Sequence, residues 1–338
     1  MSNLPTENNF YKAIIKLLKV ARKEAVQSVD RRMVIAYFEV GKMIVEKEQE
    51  GERRAKYGTY LLRELSIALT KEFGRGFSRR NLEQMRKLYI VYSKAQKSSA
   101  KLQSIDFQLS WSHYLTLVRI ENEAERRFYE IEAIKNKWGV NELKRQYNSA
   151  LYTRLTLSRD KDKVKELSEK GLVIENPEDA IKDPYILEFL GLPEHPSYSE
   201  SELEQELINK LEYFLLEQGT GFTYVARQKR ISFDDKHFRI DLVFYNRILR
   251  CFVLFDLKIG ELKHQDIRQM QMYVHYYDRE LKLPEENKTI GVILCQNKSE
   301  AVVEYTLPEG NEQIFASKYK TVLPTKEELK ALLKAKNS

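Results

Sequence analysis

The sequence predicts two regions of different fold class, an α-helical N-terminal domain and an α/β C-terminal domain with an αβββαβ core. Two observations lead to this division. From Asn9 to about Leu155, apolar residues recur at spacings of three and four, which is typical of amphipathic helices. After Ser199 the chain changes to helical segments that alternate with runs of β-branched and aromatic residues, as expected for strands.

The domain boundaries follow from this change of pattern. We expect the helical domain to span residues 1–157 and a charged, proline-containing linker to span residues 158–199. The linker includes an apolar group that we expect to pack on a neighbouring domain, namely Tyr185, Ile186, Leu187, Phe189 and Leu190. The α/β domain should cover residues 200–325, and residues 326–338 should form a C-terminal tail.

The composition is that of a globular protein with a substantial core. The chain has 338 residues, of which 42% are hydrophobic and 32% are charged, enough for two domains. Its net charge of +7 suits a polyanionic partner without requiring one. No apolar segment is long enough to cross a bilayer, so we expect a cytoplasmic protein without a membrane partner. The two cysteines, Cys251 and Cys295, lie in apolar runs and should be buried thiols, not zinc ligands.

One helix of the first domain is a candidate DNA-binding helix. Ser78 should cap it, Arg79 and Arg80 lie in its first turn, and Arg86 and Lys87 follow. Arginines at a helix N-terminus oppose the macrodipole, which favours an external anion over a stabilising role. The segment could therefore be the recognition helix of a helix-turn-helix. The alternatives are a solvated basic face, or a domain used for dimerisation or partner docking.

The C-terminal half has a clear order of predicted elements. A helix is expected over Glu200–Gln218 and another over His264–Glu280. Strands are expected at Gly221–Phe233, Phe238–Tyr245, Leu249–Leu257, Thr289–Cys295, Ala301–Thr306 and Glu312–Ala316.

Two aspartates lie inside apolar strands, Asp241 in FRIDLVFYN and Asp256 in RCFVLFDLK. A short turn between the strands allows a hairpin that brings both acids to similar heights. Lys258 is two residues after Asp256 and therefore shares its face of the strand. Buried charges need mutual pairing or a ligand. Carboxylates that hold Mg²⁺ beside a lysine can hydrolyse a phosphodiester, because the phosphate charge is neutralised and a water becomes more acidic.

The flanking helices supply further polar side chains. In the first helix, Glu204 lies on the same stripe as the apolar residues Ile208, Leu211 and Leu215 and should therefore point inward. Glu206, Lys210 and Glu217 are expected on the outer face. In the second helix, Gln269 and Tyr273 lie on one face, where the glutamine could hold a water or a phosphate. The alternative is that Gln269 and Tyr273 satisfy each other or the sheet edge.

These residues together resemble the PD-(D/E)XK nuclease superfamily, which has a restriction-endonuclease-like core. The segment LEYFLLEQGTGFTYVARQKRISFDDKHFRIDLVFYN, residues 211–246, resembles the YhcG-like family of bacterial proteins. That family joins a helical N-terminal domain to a nuclease domain of Holliday-resolvase type. The resemblance covers most of the chain and implies a metal-dependent DNA endonuclease that acts in restriction, repair or recombination.

The resemblance also implies roles for individual residues. Mg²⁺ or Mn²⁺ would be held by Asp241, Asp256 and the backbone carbonyl of Leu257, with Glu204 as an additional acid. Lys258 would orient or activate the water, and Gln269 and Tyr273 would complete the catalytic set. The sequence departs from the motif in two places. Ile240 stands where proline is frequent, and Asp256 is the shorter of the two permitted acids.

Basic and polar residues near the acids are candidates for phosphate contacts. Arg227, Gln228 and Lys229 are in the first strand, and Lys263 and Arg268 lie at the start of the second helix. Contacts of this kind position a duplex without reading its sequence. We expect a homodimer that binds DNA, with protein partners docking through the helical domain. A catalytically silent DNA-binding or partner-binding module is the alternative function, and RNA is an alternative substrate.

Overall fold

The computed structural model describes residues 29–49, 54–98, 106–157, 161–182, 185–194, 198–233, 236–323, 325 and 328. The chain divides into two compact units, Met1–Lys144 and Arg145–Ser338. The first unit is helical, and the second contains a mixed sheet covered by helices, which confirms the predicted fold class. The division at residue 144 precedes the boundary at residue 157 that the sequence suggested.

The helical region begins with α1, to which residues 29–49 belong. The following helices are α2 (Arg54–Phe73), α3 (Arg79–Ser98), α4 (Trp111–Leu117), α5 (Glu123–Lys135) and α6 (Val140–Asn148). As predicted, Ser78 caps α3, because its Oγ accepts a hydrogen bond from the amide of Asn81 at 3.3 Å.

The helical unit is held together by close helix contacts and buried aromatic rings. Helix α1 approaches α3 at Gly41, where a Cβ atom would lie 2.7 Å from the carbonyl carbon of Met85. Tyr92 and Tyr114 each donate a hydrogen bond of 3.0 Å to the carboxylate of Glu130. The absence of a side chain at Gly41 therefore permits the α1–α3 packing.

The second unit begins within α6 and continues through α7 (Leu151–Leu157), α8 (Lys161–Lys170), α9 (Pro177–Ala180), β1 (Tyr185–Ile186) and a 3₁₀ turn (Glu188–Leu190). Its central elements are α10 (Glu200–Asn209), α11 (Leu211–Gln218), β2 (Phe222–Phe233), β3 (Lys236–Asn246) and β4 (Cys251–Glu261). The last are α12 (His264–Tyr276), a π-helical turn (Tyr277–Leu281), β5 (Ile290–Asn297), α13 (Glu300–Thr306) and β6 (Ile314–Lys320).

The six strands among the described residues form one sheet in the order β1-β6-β5-β4-β3-β2. Strands β2, β3 and β4 form an antiparallel meander, whereas β5 pairs with β4, β6 with β5 and β1 with β6 in parallel. Parallel neighbours require crossover connections, which α12 and α13 provide. Helices α10 and α11 pack on one face of the sheet through Leu203, Leu207 and Phe214. Helix α12 packs on the other face.

The apolar group of the expected linker belongs to the α/β unit. Tyr185 and Ile186 form β1, which adds to β6 at Tyr319 and Lys320. Tyr185, Ile186 and Leu187 are fully buried. This segment therefore completes the edge of the sheet.

The outer-face assignment of Glu217 was wrong. Its side chain is fully buried, and the buried face of α10 and α11 is formed by Leu203, Leu207, Phe214 and Gln218. The stripe that we identified, which includes Ile208, Leu211 and Leu215, lies partly buried beside this face.

Three basic side chains compensate the buried charge of Glu217. Arg154 Nη1 lies 3.0 Å from its Oε1, and Arg145 Nη2 lies 3.3 Å from its Oε2. Lys182 Nζ is 4.0 Å from Oε1. Burial alone would raise the pKa of Glu217, but the three cations together lower it to about 2.

Two predicted elements also differ in the structure. Ala301–Thr306, expected as a strand, is part of helix α13, because Ser299 caps it by accepting from the amide of Val302 at 3.4 Å. The helix expected over Glu200–Gln218 is divided into α10 and α11 at Lys210. Both cysteines are free and buried, as expected. In the described part of the chain, we find no helix with the length and apolar character needed to span a membrane.

Candidate active site

The acids lie where two strands of the sheet stop pairing. The β3–β4 ladder extends from Asn246 opposite Cys251 to Leu242 opposite Phe255. Asp241 and Asp256 are the next residues beyond its last pair. Strand β3 remains paired with β2, and β4 with β5, on either side of this point. A gap between two antiparallel strands therefore begins at the two acids.

Asp241 is fixed by the strand that carries Asp256. Its Oδ2 accepts a hydrogen bond from the amide of Leu257 at 2.8 Å. Its Oδ1 accepts from Gln228 Nε2 at 3.1 Å. Burial raises the pKa of Asp241, although the bond from Leu257 and the charge of Lys258 oppose the shift.

Asp256 is the most buried acid of the group, with 1% of its surface exposed. Lys258 Nζ lies 3.1 Å from its Oδ2 as an ion pair. Apart from this ion pair, no described group donates a hydrogen bond to Oδ2. Burial and the negative charge of Asp241 raise the pKa of Asp256 to about 7, against the influence of Lys258. Lys258 therefore compensates the charge of the two aspartates only in part.

Glu204 extends the acidic group from helix α10. Its side chain is 8% exposed, and its Oε2 accepts from Gln228 Nε2 at 2.6 Å. Its Oε1 is buried with no hydrogen-bond partner in the described chain. Burial and the charge of Asp241 raise the pKa of Glu204, whereas the Gln228 bond opposes the shift. The inward direction of Glu204 agrees with the sequence expectation.

Gln228 has a place in the site that the sequence did not indicate. We expected it to contact nucleic acid, but one amide nitrogen bridges Glu204 and Asp241. Its φ of 46° is unusual for a residue other than glycine. Only the β2–β3 register, in which Arg227 pairs with Leu242, shows that Gln228 faces the acids.

Glu200 is a second residue that sequence reasoning missed. Its Oε2 lies 3.7 Å from Lys258 Nζ, and its Oε1 accepts from the amide of Ile259 at 3.2 Å. Burial would lower the pKa of Lys258, but Asp256 and Glu200 raise it overall. The available signal was the spacing of four between Glu200 and Glu204, which places both on one side of α10.

Gln269 and Tyr273 bond to each other, as in the alternative that we considered. Gln269 Nε2 donates to the Tyr273 hydroxyl, which itself donates to the carbonyl of Arg239 at 2.9 Å. Burial and the nearby charge of Asp256 raise the pKa of Tyr273 to about 12. Tyr273 therefore joins α12 to β3 beside the acids, as a neutral hydroxyl.

The candidate phosphate-binding residues of the second unit lie at its surface. Lys229, Lys263 and Arg268 are exposed. Arg227 is also exposed, and its Nη1 donates to Gln205 Oε1 on α10 at 3.0 Å. These positions leave four cationic groups accessible at the surface of the second unit.

The candidate DNA-binding residues of the first unit fall into two groups, those with an acidic partner and those that are exposed. Arg79 Nε lies 3.0 Å from Glu83 Oε1, and Arg86 Nε lies 2.6 Å from Glu48 Oε2. Arg80 and Lys87 are exposed. The two arginines with acidic partners are thus partly neutralised.

The oxygen atoms of the acidic group suit a hard divalent cation. Glu204 Oε1 is buried without a hydrogen-bond donor in the described chain, and the described contact of Asp256 Oδ2 is its ion pair with Lys258. Among the described residues, no three His, Cys, Asp or Glu side chains are arranged to hold a metal together. The side-chain amide of Gln228 lies between Glu204 and Asp241. Asp241 and Asp256 are therefore the two carboxylates that could bind one ion together. Mg²⁺ commonly uses one or two carboxylates and retains several waters, so the residues present fit this ion.

Comparison with known proteins gives two family matches that cover most of the chain. Residues 178–334 match the YhcG PDDEXK nuclease domain, and residues 13–154 match the DUF1016 N-terminal domain. A protein of Escherichia coli (strain K12), named "Putative nuclease YhcG", is 39% identical over 341 residues. The match covers 94% of this chain and 90% of that protein.

Solved structures show only a distant likeness. A repair endonuclease from Pyrococcus abyssi is 19% identical, with a TM-score of 0.27, over 38% of this chain and 50% of that chain. A complex of EndoMS with double-stranded DNA is 18% identical, with a TM-score of 0.27, over 39% of this chain and 49% of that chain. The matched region thus spans about half of each of these proteins.

Proposed function

This chain belongs to the YhcG family of PDDEXK nucleases, and on that premise we propose that it is a metal-dependent endonuclease that hydrolyses phosphodiester bonds in DNA. The observation that carries the proposal is the pairing of Asp241 and Asp256 beside Lys258 at the gap between β3 and β4. A buried and a partly buried carboxylate with raised pKa values are costly unless a ligand uses them.

The acidic group argues against a silent binding module. Carboxylates repel a phosphate, so a protein that only bound DNA would gain nothing from Asp241, Asp256 and Glu204. A bound cation reverses this repulsion. For that reason we favour catalysis over the alternative.

We propose that Asp241, Asp256 and the carbonyl of Leu257 hold Mg²⁺ or Mn²⁺, with Glu204 as a further acid. When bound, such an ion neutralises charge on the phosphate and makes a water more acidic. Asp241 is oriented for this role by the amide of Leu257. Gln228 holds Glu204 and Asp241 together.

Lys258 supplies the positive side chain of the site. It stays protonated, since Asp256 and Glu200 raise its pKa. A protonated lysine can hold the attacking water or stabilise charge that develops on the phosphate, but it cannot remove a proton. Glu200 limits the freedom of the Lys258 ammonium group, so we assign Glu200 a positioning role. Gln269 and Tyr273 support the wall of the site through the bond from Tyr273 to Arg239.

The surface around the acids suits a DNA backbone. Arg227, Lys229, Lys263 and Arg268 are exposed cations that could contact phosphates on either side of the cleaved bond. Such contacts fix position and not sequence. Within this proposal, the cleavage serves DNA restriction, repair or recombination.

The test is direct incubation of the purified chain with supercoiled, linear, single-stranded and branched DNA. Each substrate is incubated with Mg²⁺, with Mn²⁺ and with EDTA. We expect cleavage of at least one DNA form with metal and none in EDTA. Matched RNA substrates separate a deoxyribonuclease from a ribonuclease. Absence of cleavage in every combination would contradict the proposal.

A further inference from the structure

The helical unit contains a pocket that the nuclease site does not use. Its volume is about 260 Å³. It lies between the start of α3 and the end of α4, and is lined by Gly76, Ser78, Arg80, Asn81, Gln84, Leu115 and Arg119. Among the residues that the structure describes, the lining contains two arginines and no acidic residue. This imbalance of charge favours an anionic ligand.

The two arginines come from different parts of the chain and have no described partner. Arg80 is in the first turn of α3, and Arg119 follows α4. Within the part of the chain that the structure describes, neither guanidinium forms a hydrogen bond or ion pair. The neighbouring acid Glu83 is paired with Arg79. Two unpaired guanidinium groups at one concave surface repel each other unless an anion lies between them.

The start of α3 adds backbone donors to the same wall. The amide of Leu82 donates to Ser78 O at 3.0 Å, and that of Asn81 donates to Ser78 Oγ at 3.3 Å. The first turn contains no acidic side chain. Among the described turn, loop and cap contacts, the backbone amides of Arg79 and Arg80 donate no hydrogen bond. They are therefore available to an anion, and the positive end of the helix dipole strengthens the attraction.

The remaining polar side chains give the pocket a fixed wall and a second recognition group. Asn81 Oδ1 accepts from Trp111 Nε1 at 3.2 Å, which joins α3 to α4. Gln84 Oε1 is buried and receives no hydrogen bond in the described chain. An unsatisfied acceptor beside two cations suits a ligand that carries a hydroxyl or amino donor next to its negative charge. In DNA this donor would be an amino group of a base, since the sugars within the chain carry no free hydroxyl.

From these features we propose that the pocket binds a phosphate group of a nucleic acid, held by Arg80, Arg119 and the first amides of α3. The volume accommodates a phosphate with part of its sugar. Planar guanidinium groups bind phosphate oxygens in pairs, which gives geometry as well as charge. Arg119 is the new element, because no pattern in the sequence connects it with the basic helix.

The choice of nucleic acid over a small phosphate compound rests on the proposed function. The pocket itself stands on separate observations in the helical unit. Binding is therefore measured on the full chain in EDTA, where it does not depend on cleavage. If the chain cleaved no DNA with any metal but bound DNA through this pocket, the proposed function would fail while the pocket remained.

The main measurement is fluorescence anisotropy with a labelled duplex oligonucleotide over a range of salt concentrations. The variant Arg80→Ala/Arg119→Ala should bind roughly tenfold more weakly for each arginine lost. The slope of log affinity against log salt should fall by up to about two units. Calorimetric binding of inorganic phosphate should be lost in the same variant.

Two control variants separate a built pocket from general charge. Arg32→Ala/Arg63→Ala removes equal charge from exposed positions on α1 and α2 and should lose much less affinity. Arg80→Lys/Arg119→Lys keeps the charge, so it should retain most of the salt slope but bind inorganic phosphate more weakly. Thermal melting of each variant shows whether its fold is intact.

Three results would overturn the proposal. The first is equal duplex affinity and salt slope in the pocket variant and the charge control. The second is loss of inorganic phosphate binding with unchanged DNA binding, which would assign the pocket to a small phosphate compound. The third is displacement of the duplex by polyglutamate as effectively as by unlabelled DNA, which would indicate an acidic protein partner.

Discussion

The carboxylate of Asp241 accepts a hydrogen bond of 2.8 Å from the backbone amide of Leu257, the residue that follows Asp256. This bond replaces a strand-to-strand hydrogen bond at the point where the β3–β4 ladder ends. One acid of the site is thus positioned by the backbone of the strand that carries the other. The sheet itself sets the separation of the two carboxylates.

Asp241→Asn and Lys258→Ala should each reduce metal-dependent DNA cleavage by about 10²-fold or more. Asparagine preserves the size of the side chain and an oxygen for the Leu257 amide, so the fold should remain intact. The loss would therefore reflect the missing negative charge. Cleavage of a plasmid over time, with circular dichroism of each variant, measures both effects.

A matched control for Asp241→Asn is Asp278→Asn. Asp278 also accepts a hydrogen bond from a backbone amide, that of Thr289 at 2.7 Å, but it lies outside the acidic group. This variant should retain cleavage. If Asp241→Asn and Lys258→Ala both cleaved within a few-fold of the unmodified chain, the nuclease proposal would be wrong.

Mn²⁺ should bind the unmodified chain, and Asp241→Asn or Asp256→Asn should remove most of that binding. Each substitution replaces a negatively charged oxygen ligand by a neutral amide. Isothermal titration calorimetry without DNA measures this directly. The Asp278→Asn variant serves again as a control, and equal binding in all variants would place the metal elsewhere.

In metal-free buffer, the stability contribution of Asp256 should fall as pH rises from about 4 to about 7. Its pKa of about 7 in the folded protein exceeds the ordinary value of 3.8. The folded state therefore keeps a proton that the unfolded state has released, and rising pH favours unfolding. Asp256→Asn should flatten this dependence and raise stability near pH 8 by on the order of 2 kcal/mol.

Urea denaturation of the unmodified chain and of Asp256→Asn at a series of pH values tests this prediction. Added Mn²⁺ should restore the stability of the unmodified chain at pH 8 but have little effect on the variant. A lower stability of the variant at every pH would show that Asp256 and Lys258 form a structural pair.

Glu217→Gln should destabilise the second unit by roughly 3–5 kcal/mol, because it leaves Arg145, Arg154 and Lys182 without their shared anion. The depressed pKa of Glu217 means that its contribution is present above its ordinary pKa of 4.5 and is lost as pH falls towards about 2. The variant should therefore show a weaker acid dependence of stability. Thermal unfolding between pH 3 and pH 7 measures the difference.

Glu166→Gln is the control for Glu217→Gln, since it breaks the exposed pair with Lys170 in the same unit. Exposed pairs contribute little to stability, so its unfolding curve should match that of the unmodified chain. Equal curves for both variants would show that the buried cluster does not contribute to stability.

Local patterns were sufficient to predict the αβββαβ order and the hairpin that carries the acids. The apolar runs around Asp241 and Asp256 specify strands, and the short turn between them specifies their approach. The position of Gln228 could not be predicted in this way. It depends on the β2–β3 register and on the positive φ of Gln228, and neither can be predicted from the residue types.

The errors had a common physical cause, which is dependence on distant partners. Glu217 is buried because Arg145, Arg154 and Lys182 reach it from segments more than 30 residues earlier. β1 contains only Tyr185 and Ile186 and exists as a strand because β6 pairs with it. Residues Ala301–Thr306 contain two adjacent valines, which favour a strand, but the cap at Ser299 starts a helix.

The cluster around Glu217 determines where the chain can be divided for expression. Arg145 and Arg154 lie within the matched range of the N-terminal family domain, which ends at residue 154, yet they belong to the second structural unit. A nuclease fragment that starts at residue 178 would keep Glu217 and Lys182 but discard both arginines. A fragment that starts at Val140, where α6 begins, keeps all four charges. The longer fragment is therefore the one that we expect to fold independently.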